Sequence, residues 1–528
     1  MTAAPLPTLL ASPAPTRRGR GPRGFPVTVV LSTVIALALL LPLALLVVEA
    51  HIAGWTEIHR VLFRQRTLVL LRNTVVLSVL VTALAATIGI AAAWCTERTR
   101  LPGHRVWMVL LVLPVAMPDF VVGYAWHTIA PGANPLGAAT LVMTLATYPL
   151  VYLPVAAALR RSDPAMEESA QSLGVGRVGV FFRVTLPLIR TAVLGGCVIV
   201  VLALISEYGA FEIVRYQTFT TEIFTEFQFD SQAAAALSVP LVLLGLLVLA
   251  VDGLVPRRTG TVQGSPRRPT PAPRHWARNA VPMASLGALV VLGVGVPIGT
   301  LLYWMGQSRT STLPAASSLA SATWSSVSYS AMGALIAVLL ALPVALMTFR
   351  RSTVPRMVLE RSTYVTQALP GVVIALSLVF FATRYAYSLY QTSALLVIAY
   401  AILHFPLALI CVKTSVSQAP PRLVDVGRSL GRGPVSVFFR VTLPLIAPGL
   451  AAGFCLVFLT AITELTATLV LAPIGVQTLA TQFWAYQREV AYGAAAPYAL
   501  MIIALAMVPG ALLGLWFDRG RRQAPGAT

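Results

Sequence analysis

Runs of about 20 apolar residues recur along this chain, and that alone restricts what it can fold into. Each run is long enough to cross a ~30 Å hydrocarbon core as a helix. A backbone embedded in lipid must satisfy its own polar groups, which leaves helices or a closed barrel. Twelve runs are legible, at roughly 27–49, 73–95, 106–127, 137–159, 191–213, 235–254, 281–304, 327–349, 362–382, 393–412, 448–471 and 495–517. The expected fold class is an all-α polytopic membrane protein with about twelve transmembrane helices. Composition agrees: 57% of residues are hydrophobic and 11% charged, against about 25% charged in soluble domains.

A net charge of +20 raises the question of nucleic acid, but its placement points to membrane topology. With the tails and every second connection assigned to the cytoplasm, 30 of the 38 Lys/Arg fall inside. That is the positive-inside bias; both termini are then cytoplasmic, the surface partner is membrane lipid, and no nucleic acid is expected. One outer connection resists, since Arg60, Arg64, Arg66 and Arg72 lie between the first two runs. An amphipathic interfacial stretch or snorkelling to the headgroups would accommodate them.

The four cysteines, Cys95, Cys197, Cys411 and Cys455, fall in or at the ends of apolar runs without CxxC spacing. They read as small buried packing residues, and no metal site is expected. The basic stretch Arg17–Arg23 precedes a run longer than a signal-peptide core, with no A-x-A site after it, so an uncleaved first helix is expected. Residues 1–26 are rich in Pro, Ala and Arg and read as a disordered cytoplasmic tail; 518–528 form a second tail. Residues 255–280 are a Pro/Arg-rich cytoplasmic linker. They separate a first half (27–254, core about 69–254) from a second (281–517, core about 323–517).

The halves are related. FFRVTLPLI occurs at Phe181–Ile189 and again at Phe438–Ile446, an offset of 257 residues, with Ser-Leu-Gly before each copy. At the same offset Glu207 aligns with Glu464, Thr221 with Thr478 and Pro240 with Pro497; upstream, at 252, Pro118 aligns with Pro370 and Ser78 with Ser330. Six runs per half return the chain to the same side, so the repeats are parallel, not inverted.

Before each FFRVTLPLI lies a loop of fixed spacing. The first reads Glu168-Ser-Ala170-Gln-Ser-Leu-Gly174, nine residues, then Val184-Thr-Leu186-Pro187. The second reads Asp425-Val-Gly427-Arg-Ser-Leu-Gly431, then Val441-Thr-Leu443-Pro444. Asp163–Leu173 suits a short helix, with Ser162 or Asp163 as cap, Pro164 in the first turn and Glu167 and Glu168 complementing the dipole. Gly174 suits the C′ position. The pattern resembles the EAA loop of binding-protein-dependent ABC importer permeases, E-A-A-x3-G-x9-I-x-L-P. Two such loops on twelve helices resemble the fused subfamily that includes ferric-iron and thiamine importers. The resemblance implies a type I importer permease fold and two loops that dock on ATPase subunits. It also implies two ATPase subunits as a homodimer, an extracytoplasmic substrate-binding protein, and the bacterial inner membrane. In the second copy Asp425 replaces Glu and Gly427 replaces Ala, so the two docking sites need not be equal.

No P-loop is present: Lys413, the only lysine, follows Val412, whereas the motif needs G-x4-G-K-[ST]. HExxH, GxSxG and DxDxDG are also absent. The chain is therefore expected not to be an enzyme and to bind no cofactor, with ATP and Mg on the partner ATPase. Ionisable groups within membrane spans are costly and tend to be functional. Asp119, Glu207, Tyr208 and Glu464 are candidates for a translocation pathway between the halves; the alternative is that they cap kinked helices or sit at the outer interface. His404, beside Pro406, reads as a packing or hydrogen-bonding residue. The segment Glu207–Asp230, with five acidic residues, is expected outside, as a solvated loop or a contact for the delivery protein. Subfamily resemblance favours ferric iron as cargo over thiamine or another small solute. An ion-coupled secondary transporter also suits twelve helices in two parallel halves but has no use for the duplicated loop.

Overall fold

The computed structural model describes residues 26–99, 101–254, 276–308, 313–347, 362 and 365–522, and every regular element among them is helical. The first half contains α1 (Pro26–Leu62), α2 (Gln65–Arg98), α3 (His104–Leu110), α4 (Asp119–Ile129), α5 (Pro135–Arg161), α6 (Ala165–Ser172), α7 (Arg177–Val180), α8 (Leu186–Ser206), α9 (Gly209–Ile213), α10 (Phe219–Phe227) and α11 (Ser231–Leu254). The second contains α12 (Trp276–Val290), α13 (Val296–Gln307), α14 (Ala316–Met347), α15 (Gly371–Tyr385), α16 (Ser393–Gln418), α17 (Pro421–Ser429), α18 (Pro434–Val437), α19 (Leu443–Ile462), α20 (Thr466–Leu471), α21 (Leu479–Arg488) and α22 (Tyr492–Arg522). The tail 1–25 and linker residues 255–275 lie outside the described residues; α12 begins at Trp276, inside the expected linker, and α22 runs past 517 into the expected tail.

Among the described residues ten helices are long and apolar enough to cross a membrane, eleven if one bent pair counts as a span. Two departures from twelve continuous spans have physical causes. The third run is two pieces, His104–Ala116 and Asp119–Ile129, meeting at 90°. Met117 and Pro118 are extended there, because proline donates no N–H and pushes its predecessor out of the α region. The ninth run appears as α15 alone, 15 residues preceded by Pro370 in the same extended conformation as Pro118; residues 348–361, 363 and 364 are not described. The fifth and eleventh runs also stop early. α8 ends at Ser206 and α19 at Ile462, so Glu207 and Glu464 lie at breaks between helices rather than within them.

The repeated FFRVT is a π-turn in both copies, Phe181–Thr185 and Phe438–Thr442. Each is closed by the N–H of the following leucine, Leu186 to Phe181 O and Leu443 to Phe438 O. The next residue is proline each time. Its ring would clash with the carbonyl four residues back in an α-turn, and the wider turn relieves this. Val291–Gly295 is a third π-turn, again one residue short of a proline, Pro297.

Within each half three helices form a mutually packed core: α2, α5 and α8 in the first, α14, α16 and α19 in the second. The first helices cross over. α1 packs on α11 of its own half and on α14 and α15 of the other; α13 packs on α22 and on α4. The four cysteines are free and half-buried, not buried as expected from their apolar surroundings. Capping geometry corrects one alignment. Thr218 and Thr478 are the N-caps of α10 and α21, each reciprocally bonded to the threonine three residues on. Thr478 therefore corresponds to Thr218, not Thr221, because the loop before α21 is longer.

Gly196 tests the close approach of α8 to α5. A Cβ there would lie 2.8 Å from Val151 Cα and 3.0 Å from Leu150 O, whereas one on Gly195 meets nothing within 4 Å. Gly196→Leu should destabilise the detergent-solubilised chain by about 1–3 kcal/mol, read as a lowered unfolding midpoint, with Gly195→Leu unchanged.

Candidate functional site

The two repeated loops have the same local architecture. The Asp163 carboxylate accepts the Ala165 N–H at 2.9 Å and starts α6. At its end Val175 N donates to Ala170 O at 3.1 Å and Gly174 N to Gln171 O at 3.0 Å. This is the Schellman pair, and Gly174 takes φ +84° to make it. In the second loop Arg432 N donates to Gly427 O at 3.3 Å and Gly431 N to Arg428 O at 3.0 Å, with Gly431 at φ +72°. Leu186-Pro187 and Leu443-Pro444 open α8 and α19 just after the π-turns.

The loops differ in how they are held. Glu167 is buried and bonded to Arg98 at the end of α2 (3.1 Å), whose guanidinium also donates to Ser162 Oγ at 2.6 Å. Glu168 points outward, as does Asp425. Thus Glu167 anchors the first loop and Glu168 stays free. Gly427 is buried, and a methyl there would come within 3.3 Å of Val437 Cγ2, so the alanine its counterpart carries would fit only if Val437 shifted by a few tenths of an ångström.

Sequence reasoning missed the surface these loops present. Met166, Leu173, Val178 and Phe182 are exposed, and so are their repeat partners Leu423, Leu430, Val435 and Phe439. Leu173 and Leu430 are 83% and 74% accessible. The signal was available: apolar residues at matched positions of a polar segment.

The pathway candidates come together at the helix breaks. The Glu207 carboxylate accepts the Ala210 N–H at 2.7 Å and caps α9; the Glu464 carboxylate accepts the Ala467 N–H at 3.0 Å and caps α20. The glutamates therefore cap broken helices, as one of the two expectations had it. The carboxyls of Asp119 and Glu207 touch, and Glu464 lies near enough to act electrostatically on both. All three are only half-buried. The cluster is asymmetric. Gly371 stands where the repeat would place a second Asp119, and a Cβ on it would lie 3.5 Å from Glu464 Oε1. Tyr208 is buried beside the cluster. His404 is buried in α16 with Nε2 unpartnered.

The resistant arginines are explained by pairing. Arg66 holds Glu222 through two contacts of 2.6 Å, and Arg64 reaches Glu226 at 2.8 Å. Two of the five acidic residues in Glu207–Asp230 are thus turned against the α1–α2 junction and not free in a loop. Arg60 pairs locally with Glu57 and stays exposed.

Comparison with known proteins agrees with this geometry. The family described as the binding-protein-dependent transport system inner membrane component matches residues 85–261 and 333–523. The chain belongs to this family: it is a multi-pass inner-membrane permease subunit of an ABC importer and not itself an enzyme. It is 36% identical to the Fe(3+)-transport system permease protein FbpB 2 of Haemophilus influenzae, over 91% of this chain and 96% of that protein. It is 21% identical to the ferric transport system permease protein FbpB of Actinobacillus pleuropneumoniae, over 88% of this chain and 72% of that protein. A probable molybdenum ABC transporter permease protein of Haloferax volcanii is 30% identical over 45% of this chain and 94% of its own length, so one half of this chain corresponds to a whole relative. Membership implies a substrate-binding protein and an ATPase as partners and disfavours the ion-coupled reading.

Glu222→Ala leaves Arg66 without its bidentate partner. It should destabilise the chain by about 1–3 kcal/mol, and a double-mutant cycle with Arg66→Met should show coupling of the pair; additive effects would deny it.

Proposed function

We propose that this chain forms the translocation pathway of a ferric-iron importer, with its two repeated loops docking on two identical ATPase subunits that bind ATP and Mg. The observation that carries this reading is the matched pair of exposed apolar quartets on loops with identical Schellman turns. Exposed leucines beside a polar helix suit burial in a partner's groove, and two equivalent sites suit a homodimer. The loop face is then cytoplasmic, with both tails and the linker, and the substrate-binding protein docks on the opposite face. Glu168, Ala170, Gly174, Leu186 and Pro187, with Asp425, Gly427, Gly431, Leu443 and Pro444, form the coupling elements. Asp119, Glu207, Tyr208 and Glu464 line the pathway.

The relatives named as iron permeases support the cargo, and the chemistry is compatible. Carboxylate oxygens suit hard cations. No group of three or more His, Cys, Asp or Glu among the described residues could hold a metal ion, so the cluster offers cargo carboxyl oxygens without a chelating cage. A pathway gains from contacts weak enough to release what enters.

The double variant Leu173→Asp/Leu430→Asp should insert normally, lose the co-purifying ATPase identified by mass spectrometry, and lower iron uptake at least tenfold. Retention of both would remove the docking role. Glu207→Gln keeps an acceptor for the Ala210 N–H but replaces the second carboxyl oxygen with an amide donor. It should lower uptake at least tenfold with an unchanged unfolding midpoint; wild-type uptake would leave Glu207 as a cap only.

A further inference from the structure

Directly outward of the carboxyl cluster, the two halves meet through aromatic rings. Tyr208 stacks on Phe224 of its own half (centroids 4.3 Å apart, planes at 28°) and tilts against Trp484 of the other (5.6 Å, 44°). Phe224 and Trp484 are separated by the offset that relates the caps of α10 and α21, so Tyr208 is held between two equivalent positions of the repeat. Leu465, the repeat partner of Tyr208, crosses the other way. Its Cδ2 lies 2.7 Å from where a Cβ on Gly209 would be, and Phe120 Cβ lies 2.9 Å from the same point. One turn further out, Phe483 touches both Phe120 and Tyr124, at 5.3 and 5.4 Å. These rings are all less than one-tenth exposed, and the acidic residues beneath them, taken whole, are half-buried.

The chain path fixes the order of the layers. α4 runs from Asp119 outward, so Phe120 and Tyr124 lie beyond the carboxyl. Tyr208 follows Glu207 on the way to α9 and α10, which end in the turn that leads back through α11. Gly371 starts α15, which runs outward for 15 residues, about 22 Å at the helical rise. A thiol at 371 would therefore sit under the ring layer and beside Glu464.

We propose that Tyr208, clamped between Phe224 and Trp484, is the latch of an outer gate that seals the carboxyl cluster from the delivery side. The Tyr208–Phe224 contact lies within one half and travels with it. The contacts of Tyr208 with Trp484, and of Phe120 and Tyr124 with Phe483, join the halves and must part when the gate opens. The latch rests on the importer reading and on its orientation.

The test uses the full chain with its four native cysteines replaced by serine and Gly371→Cys added; a Cβ there makes only ordinary contacts of 3.5–3.8 Å. Right-side-out vesicles are treated with a membrane-impermeant maleimide. Tyr208→Ala/Trp484→Ala should raise the labelling rate of this thiol at least tenfold, and Tyr208→Phe should keep it slow. An unchanged rate in the double variant, or fast labelling with both rings intact, overturns the latch. A parallel chain carrying Ala93→Cys in place of Gly371→Cys reports on the fold, because Ala93 is fully buried in α2. If that thiol also labels in the double variant, Trp484→Ala alone decides, with a threefold rise expected and no rise overturning the proposal. Labelling needs neither ATP nor cargo, so a negative result removes the latch and leaves the iron-importer reading to the uptake measurements.

Discussion

Every backbone polar group in a bilayer needs a partner inside the protein, and this requirement determines where the chain can break its helices. An interrupted span exposes orphan N–H groups with no water to satisfy them. Here the breaks after α8 and α19 are each followed by a short helix whose free N–H groups meet a glutamate. The charged groups that a sequence reader would assign to transport are thus the groups that make the irregular backbone tolerable. Capping holds one oxygen of each carboxyl group in a fixed direction. Under the proposed function, structure and pathway depend on the same two side chains, and the neighbouring carboxyl of Asp119 exists in one half only.

The same economy holds at the repeated loops. A proline at the second position of α8 and α19 sets the entry into the membrane, and the π-turn before it absorbs the mismatch. Because the turn spans Phe181–Thr185, α7 runs into the membrane helix α8 without a break, while α6 joins it through the turn at Gly174. The first loop is additionally tied to α2 by Arg98 and Glu167, so it bears on two membrane helices at once.

Much of the fold was legible because hydropathy and duplication act over long stretches. The apolar runs, the parallel halves, the Schellman glycines and the family all follow from spacing along the chain. What escaped depends on side chains meeting across it. Proline breaks turned the third run into a right-angled pair, which an apolar window cannot register. The arginines at 64 and 66 looked like a violation of topology because their partners, Glu222 and Glu226, lie about 160 residues away. The correspondence of Thr218 with Thr478 was hidden by a short change of loop length. Glu168, the residue that carries the motif, faces away from the protein, while its neighbour Glu167 does the anchoring; a motif records what a partner reads, not what holds the loop in place.

The crossing of the first helices bears on how such a chain is made. α1 is synthesised before the other described helices, yet part of its lateral surface is covered by α14 and α15, which begin more than 250 positions after α1 ends. At bacterial-type elongation rates of about 5–20 residues per second, that interval lasts on the order of tens of seconds. For that time α1 presents to lipid, or to the insertion machinery, a face that later becomes an internal seam. The halves can each reach the membrane in turn, but neither is finished until the other has arrived.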